Sequence, residues 1–192
     1  MSQLKPIALI TGANRGIGFE LARTLARDHS FHVLLGSRDV VSGTSALAVL
    51  SSEGLSVELL ILDTNFDDSI MAAAKNVEQN HGRLDVLVNN AGISIDPYPT
   101  TEFTQLRRVF QDTFNTNVFG SATVTEAFIP LLYKSSLPRI VFISSTLGSI
   151  GNRVDPHGAW QQVPLVSYRC SKAALNMLCA TFVARLETKG GK

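Results

Sequence analysis

Five short apolar runs rich in Val, Ile and Leu punctuate the chain: Ile7–Ile10, Phe31–Leu35, Val57–Leu62, Val86–Val88 and Ile140–Ile143. Few polar residues interrupt them, as suits parallel strands buried on both faces. Between them the apolar residues switch to helical spacing. Ile17, Leu21, Ala22 and Leu25 come first, then Leu47, Val49 and Leu50, then Ile70, Ala74 and Val77, then a long stretch from about Thr101 to Tyr133. A last helix is expected from about Val166 to Glu187. Parallel neighbours cannot be joined by a tight hairpin, so each intervening helix serves as the crossover. The expected fold is α/β, a doubly wound parallel sheet flanked by helices. Residues Leu147 to Pro164, with Gly148, Gly151, Pro156 and Gly158, are expected to form a loop.

Composition narrows the class further. With 192 residues, 45% of them hydrophobic, the chain suits one globular domain over 1–192. Charges nearly cancel, 17 Lys and Arg against 16 Asp and Glu, and no basic stripe appears, so nucleic acid is not an expected partner. The run Ile7–Ile10 is far too short to cross a membrane or serve as a signal segment; a cytoplasmic protein acting on small molecules is expected. Cys170 and Cys179 share one helical stretch, which separates them by roughly 13 Å and rules out a bridge. His29 and His32 straddle a helix end and a strand start, and no metal site is expected from them.

The first strand runs directly into "TGANRGIG", which sets Gly12, Gly16 and Gly18 at the first strand-to-helix turn. In a parallel sheet that turn is where a dinucleotide pyrophosphate meets a helix N-terminus. The spacing Gly-x-x-x-Gly-x-Gly differs from the common Gly-x-Gly-x-x-Gly fingerprint, and no Gly-Lys-Ser/Thr follows, so it is not a phosphate-loop nucleotidase. Far downstream, "YRCSK" places Tyr168 and Lys172 four apart, on one face of a helix. An ammonium within a few ångströms of a tyrosine favours its phenolate form.

These two segments, with "NNAG" at Asn89–Gly92 after the fourth strand, "NTNVFG" around Asn117 in the long helix, and "ISS" ending the fifth strand, resemble the short-chain dehydrogenase/reductase family over almost the whole chain. The resemblance implies a Rossmann-type sheet, an NAD or NADP cofactor, and hydride transfer between a carbonyl and an alcohol. It gives Tyr168 the role of proton donor, and Lys172 that of supporting the tyrosine and hydrogen-bonding the nicotinamide ribose. Ser145 would hydrogen-bond the substrate oxygen, with Ser144 as the alternative, and the Asn117 backbone carbonyl would hold a water in a proton relay. Gly12, Asn14, Arg15, Gly16, Ile17 and Gly18 would line the pyrophosphate turn. Asp63 would contact adenine, and Asn90, Ala91 and Gly92 would lie near its ribose. At the second strand's end the chain reads "GSRD": Ser37 and Arg38, with Arg15, would accommodate the 2′-phosphate of NADP, whereas Asp39 would suit a ribose hydroxyl. NADP is therefore expected in preference to NAD. Members of the family pair through the long helix and the Tyr-bearing one, so a homodimer or homotetramer is expected, with the phenylalanines Phe103, Phe110, Phe114, Phe119 and Phe128 in core and interface packing.

Two departures from the family pattern stand out. The segment between Ser145 and Tyr168 is longer than in many members and carries His157 and Trp160, expected beside the substrate. After the Tyr-bearing helix, members continue through further strands, whereas this chain ends in "LETKGGK". The expectation is a fold truncated at that point. Its main reading is an NADP-dependent carbonyl reductase or alcohol dehydrogenase, and the competing one is a weakly active or non-catalytic remnant that binds cofactor or a protein partner.

Overall fold

A computed structural model describes residues 5–96, 103–155, 157 and 160–190, with backbone alone at 103, 104 and 187–190. The chain divides into two compact units, one formed by residues 1–91 with 123–143 and the other by residues 92–122 with 144–192.

The first unit holds the sheet. Its strands are β1 (Ile7–Ile10), β2 (His32–Ser37), β3 (Val57–Ile61), β4 (Val86–Asn89) and β5 (Arg139–Phe142), all parallel in the order β3-β2-β1-β4-β5. Helices α1 (Gly16–Asp28), α2 (Val40–Ser52) and α3 (Asp67–His81) alternate with the strands. Strand residues alternate between two cores, as a period of two demands. Ile7, Leu9, Leu34, Leu60 and Leu87 pack with Ile70, Ala73 and Val77 of α3 and with Phe128. Ala8, Ile10, Val33, Leu35 and Val88 pack with Ala22 and Ala26 of α1 and Leu50 of α2. The sheet is thus doubly wound. Burial on both faces holds for β1, β2 and β4, but not for the outer strands: β5 alternates exposed and half-buried, with Val141 facing solvent. In α2 the helical spacing of Leu47, Val49 and Leu50 proves misleading, because the buried face is Gly43, Ala46 and Leu50 while Val49 is exposed.

The long helix is interrupted. Helix α4 (Phe103–Phe114) runs into a π-helical segment, Asn115–Gly120, before α5 (Ser121–Leu132). Thr101, its expected start, lies outside the described residues. The expected loop after β5 contains helical turns instead. Ser145 caps a 3₁₀ turn at Thr146–Gly148, and Ser149 caps the short helix α6 (Ile150–Val154), each hydroxyl accepting a backbone N–H two or three residues on. Pro156 and Gly158 lie outside the described residues. The last helix, α7 (Val166–Gly190), carries both cysteines, and both are free. No described helix is long and apolar enough to cross a membrane.

Candidate functional site

In the first unit the strand order reverses between β1 and β4, and the turns that follow these two strands meet. The hydroxyl of Thr11, one residue beyond β1, accepts the backbone N–H groups of Asn90 and Ala91 at 3.0 and 2.9 Å. The Asn90 side chain answers by donating to the carbonyls of Thr11 and Gly12 at 2.8 and 3.2 Å. This lattice fixes the glycine turn from below. A Cβ on Gly18 would stand 2.4 Å from Asn90 Nδ2 and 2.8 Å from the Gly12 carbonyl oxygen, so only glycine fits. Gly12 and Gly16 both sit at positive φ, 63° and 60°, which glycine adopts without strain. A Cβ on Gly16 would meet nothing within 4 Å: the turn is open at the start of α1, where Arg15 provides no side-chain cap. Uncapped N–H groups at a helix start, fronted by open space, are the arrangement that receives phosphate oxygens.

Beside this turn, Asn14 donates to the Ser42 hydroxyl at 3.1 Å, and Asp39 Oδ1 accepts the Ser42 N–H at 2.7 Å as the cap of α2. Those Ser42 hydrogen bonds hold the Asp39 carboxyl below its ordinary range. The Ser37 hydroxyl donates to the Asp39 carbonyl at 2.8 Å. Arg15, Ile17 and Arg38 are exposed. Asp63 accepts the Asn65 N–H at 3.0 Å within its own turn.

The second unit brings together Asn117, Tyr168 and Lys172. Asn117 lies in the π-helical segment and is fully buried. Its side chain accepts the Ile93 N–H at 2.8 Å and donates to the Ile93 carbonyl and the Ser171 hydroxyl, both at 2.9 Å. Its backbone carbonyl, the atom expected to hold a relay water, accepts the Ser121 hydroxyl at 3.1 Å. The Ser171 hydroxyl in turn donates to the Tyr168 carbonyl at 2.8 Å, so Asn117 reaches the Tyr-bearing turn of α7 through one serine. Lys172 is buried, with its ammonium 5.7 Å from the Tyr168 ring centre, and loss of hydration pushes its pKa below the ordinary lysine value. The Ser144 hydroxyl donates to Asn176 Oδ1 at 2.5 Å, while Ser145 accepts the Leu147 N–H at 3.2 Å, which leaves the Ser145 proton for an outside acceptor. Gly92 is exposed.

Three further residues hold this arrangement and are not singled out by the sequence. Asp96 caps α7 from a distance: its carboxylate accepts the Ser167 N–H (2.8 Å), the Ser167 hydroxyl (2.7 Å) and the Tyr168 N–H (3.1 Å). The local signal was negative, since Leu165, just before the helix, has no capping side chain and sits at φ 30°. Gly148 lets the 3₁₀ turn rest on the helix backbone, for a Cβ there would lie 2.7 Å from the Lys172 carbonyl carbon. Arg169, buried, donates to the carbonyls of Val163 and Trp160 and so ties down the segment before α7. Trp160 itself is half exposed.

A parallel sheet with this strand order and a glycine turn after its first strand defines a Rossmann-type fold. The family model described as short chain dehydrogenase matches residues 6–190, and the chain belongs to that family of oxidoreductases. It is 41% identical to the short-chain dehydrogenase anuI of Penicillium roqueforti over 192 residues, 95% of this chain and 73% of that protein. It is also 41% identical to the Mus musculus protein named carbonyl reductase (NADPH) 1 over 145 residues, 76% of this chain and 50% of that one. Among solved structures, the menthone neomenthol reductase of Mentha piperita superposes with a TM-score of 0.78 at 28% identity, covering 95% of this chain and 86% of its own.

Proposed function

We propose that the chain catalyses hydride transfer between NADP(H) and a small carbonyl or alcohol substrate, with Tyr168 as the acid in the reducing direction. The observation that carries this reading is the buried Lys172 one helical turn from Tyr168, on a helix start fixed by Asp96. The residues of the glycine turn fit a dinucleotide: the open start of α1 would take the pyrophosphate, and Gly12, Gly16 and Gly18 leave room for it. Exposed Arg15 and Arg38 would hold a 2′-phosphate, while Ser37, expected to share in this, is buried with its hydroxyl donated to the Asp39 carbonyl and would brace the turn instead. Asp39 is already engaged in capping α2, which supports NADP over NAD, as does the name of the mouse relative. Asp63, Asn90, Ala91 and Gly92 would line the adenosine side.

The bound cofactor supplies the hydride. Tyr168 Oη would give its proton to the carbonyl oxygen as negative charge develops there, and the Ser145 hydroxyl would donate a second hydrogen bond to the same oxygen. The Lys172 ammonium would stabilise the tyrosinate left behind and bond the cofactor ribose. Asn117 would support the relay that returns a proton to Tyr168. That residues 1–192 act as one dinucleotide-binding domain, in a cytoplasmic homodimer or homotetramer, belongs to the same reading. The exposed Phe119 on the π-helical segment supports the oligomer.

The test is fluorescence titration of the 192-residue chain with NADPH and NADH, followed by NADPH consumption against a panel of ketones and aldehydes, in the parent and in Tyr168→Phe. Expected are saturable binding with preference for NADPH in both proteins, and carbonyl-dependent consumption in the parent alone. Failure of a folded chain to bind either cofactor overturns the reading. Binding without turnover in the parent favours a cofactor-binding role instead.

A further inference from the structure

Away from the glycine turn, at the opposite ends of the strands, the first unit carries a second polar cluster. His32 opens β2, Glu58 is the second residue of β3, and His81 closes α3. Strand periodicity puts His32 on the same face as the buried Leu34, and Glu58 on the same face as the buried Leu60, the face covered by α3. Two positions that continue an apolar row are therefore occupied by metal-ligating side chains, and the third comes from the end of the helix lying over them. Glu58 Oε2 is 3.4 Å from His32 Nε2 and 3.2 Å from His81 Nε2. One ligating atom from each of the three lies within 4.8 Å of the other two. The His32 and His81 rings stand 5.4 Å apart between centres.

The hydrogen bonding leaves this cluster unfinished. Buried His81 Nε2 makes no hydrogen bond among the described residues, although Glu58 Oε2 is within ion-pairing distance. His32 Nδ1 lies 3.0 Å from the Ser56 hydroxyl and His32 Nε2 lies 3.4 Å from Glu58 Oε2, the tautomer deciding which nitrogen donates; with Nδ1 protonated and bonded to Ser56, Nε2 is the nitrogen free to ligate. Two imidazole nitrogens and a carboxylate oxygen converge on one region, the donor set a divalent cation takes when both facing nitrogens are deprotonated. Zinc bonded at about 2.0–2.2 Å in a tetrahedron holds its ligand atoms roughly 3.3–3.5 Å apart, close to the Glu58 spacings. A ligating histidine is usually oriented by a hydrogen bond from its second ring nitrogen, and here the Ser56 hydroxyl is the group in place to accept it.

We infer that His32, Glu58 and His81 form a binding site for a zinc-like divalent cation, with Ser56 orienting His32 and water completing the coordination. The donor set, two imidazoles and a carboxylate, selects a borderline ion such as zinc over magnesium or calcium. The site ties β2, β3 and the end of α3 together. It lies at the strand ends away from the glycine turn, so its role is structural, and it stands whether or not the proposed reaction does.

The experiment uses untagged 192-residue protein, stripped with chelator and titrated with Co²⁺ and then Zn²⁺. Visible absorption reports the coordination, and thermal unfolding reports the linkage. Expected are one Co²⁺ per chain with a tetrahedral-type absorption band, its displacement by Zn²⁺, and a higher unfolding midpoint with metal. Glu58→Gln and His81→Gln should each weaken Co²⁺ binding more than about tenfold, since losing even an outer-shell partner costs that much. His29→Gln, outside the cluster, should change nothing. The inference is overturned if the stripped chain gives no such band, or if both cluster variants, folded by circular dichroism, bind Co²⁺ as the parent does.

Discussion

Replacing Gly148 with alanine is the sharpest probe of how the second unit holds the side chains proposed to react. The added methyl would lie 2.7 Å from the Lys172 carbonyl carbon, and 2.9 Å from both the Lys172 carbonyl oxygen and its Cβ. None of these is the free end of a flexible side chain, so the 3₁₀ turn must move. Relief to ordinary contact near 3.4 Å requires a shift of about 0.7 Å, the difference between 3.4 and 2.7. Overpacking of this kind costs about 1–3 kcal/mol. For a chain of this size each kcal/mol lowers the melting midpoint by about 2–4 °C. Ser145 caps the turn that shifts, and a displacement approaching 1 Å at a reacting group costs on the order of 100-fold in rate. Urea unfolding and carbonyl-dependent NADPH consumption should both fall, while NADPH affinity holds. Gly151→Ala is the internal control, because its Cβ would meet only the Ser149 hydroxyl, at 3.9 Å. If Gly148→Ala matches Gly151→Ala in unfolding midpoint and rate, the turn does not bear on α7 as described.

Two further perturbations separate anchoring from chemistry. Asp96→Asn keeps the shape but removes the charge that accepts the first N–H groups of α7; it should lower stability by about 1–2 kcal/mol in urea titration and slow turnover without changing NADPH affinity. An unchanged unfolding curve would show that α7 needs no remote cap. For Lys172 the sign follows from burial: its folded pKa lies below the unfolded value, so the unfolded chain binds the extra proton in the window between the two. Stability of the parent relative to Lys172→Met should therefore rise as pH increases from the lowered value towards 10.5, and urea midpoints of both proteins across the alkaline range test this. A difference that is flat or falls with pH would contradict the burial argument.

What could be read from the sequence was what repeats locally. Apolar runs located all five strands to within two residues at each end, and the four-residue spacing of Tyr168 and Lys172 put them on one helical face. The glycines at 12, 16 and 18 announced a tight turn. What could not be read depends on contacts between distant loops. Asp96 caps a helix 70 residues away, Thr11 and Asn90 brace one another across two turns, and Gly148 is demanded by a backbone it meets only in the folded chain. In sequence His32 stands near His29, but its structural neighbours, Glu58 and His81, come from the next strand and the helix after it. The π-helical segment has no periodic signature at all, since one widened turn shifts the apolar phase without breaking it.

Asn117 illustrates how far a residue's presence can be taken as evidence. Its amide pairs with both backbone groups of Ile93, much as a neighbouring strand would. Aspartate lacks the donor and leucine lacks both groups, and either would strand buried polar atoms. A chain that had abandoned turnover but kept this loop would still need asparagine here. Tyr168 is different: its hydroxyl makes no hydrogen bond among the described residues, so the architecture gives no reason for it to be tyrosine rather than phenylalanine. Asn117 therefore testifies to how the chain is built, whereas the hydroxyl of Tyr168 is the group that the proposed reaction would explain.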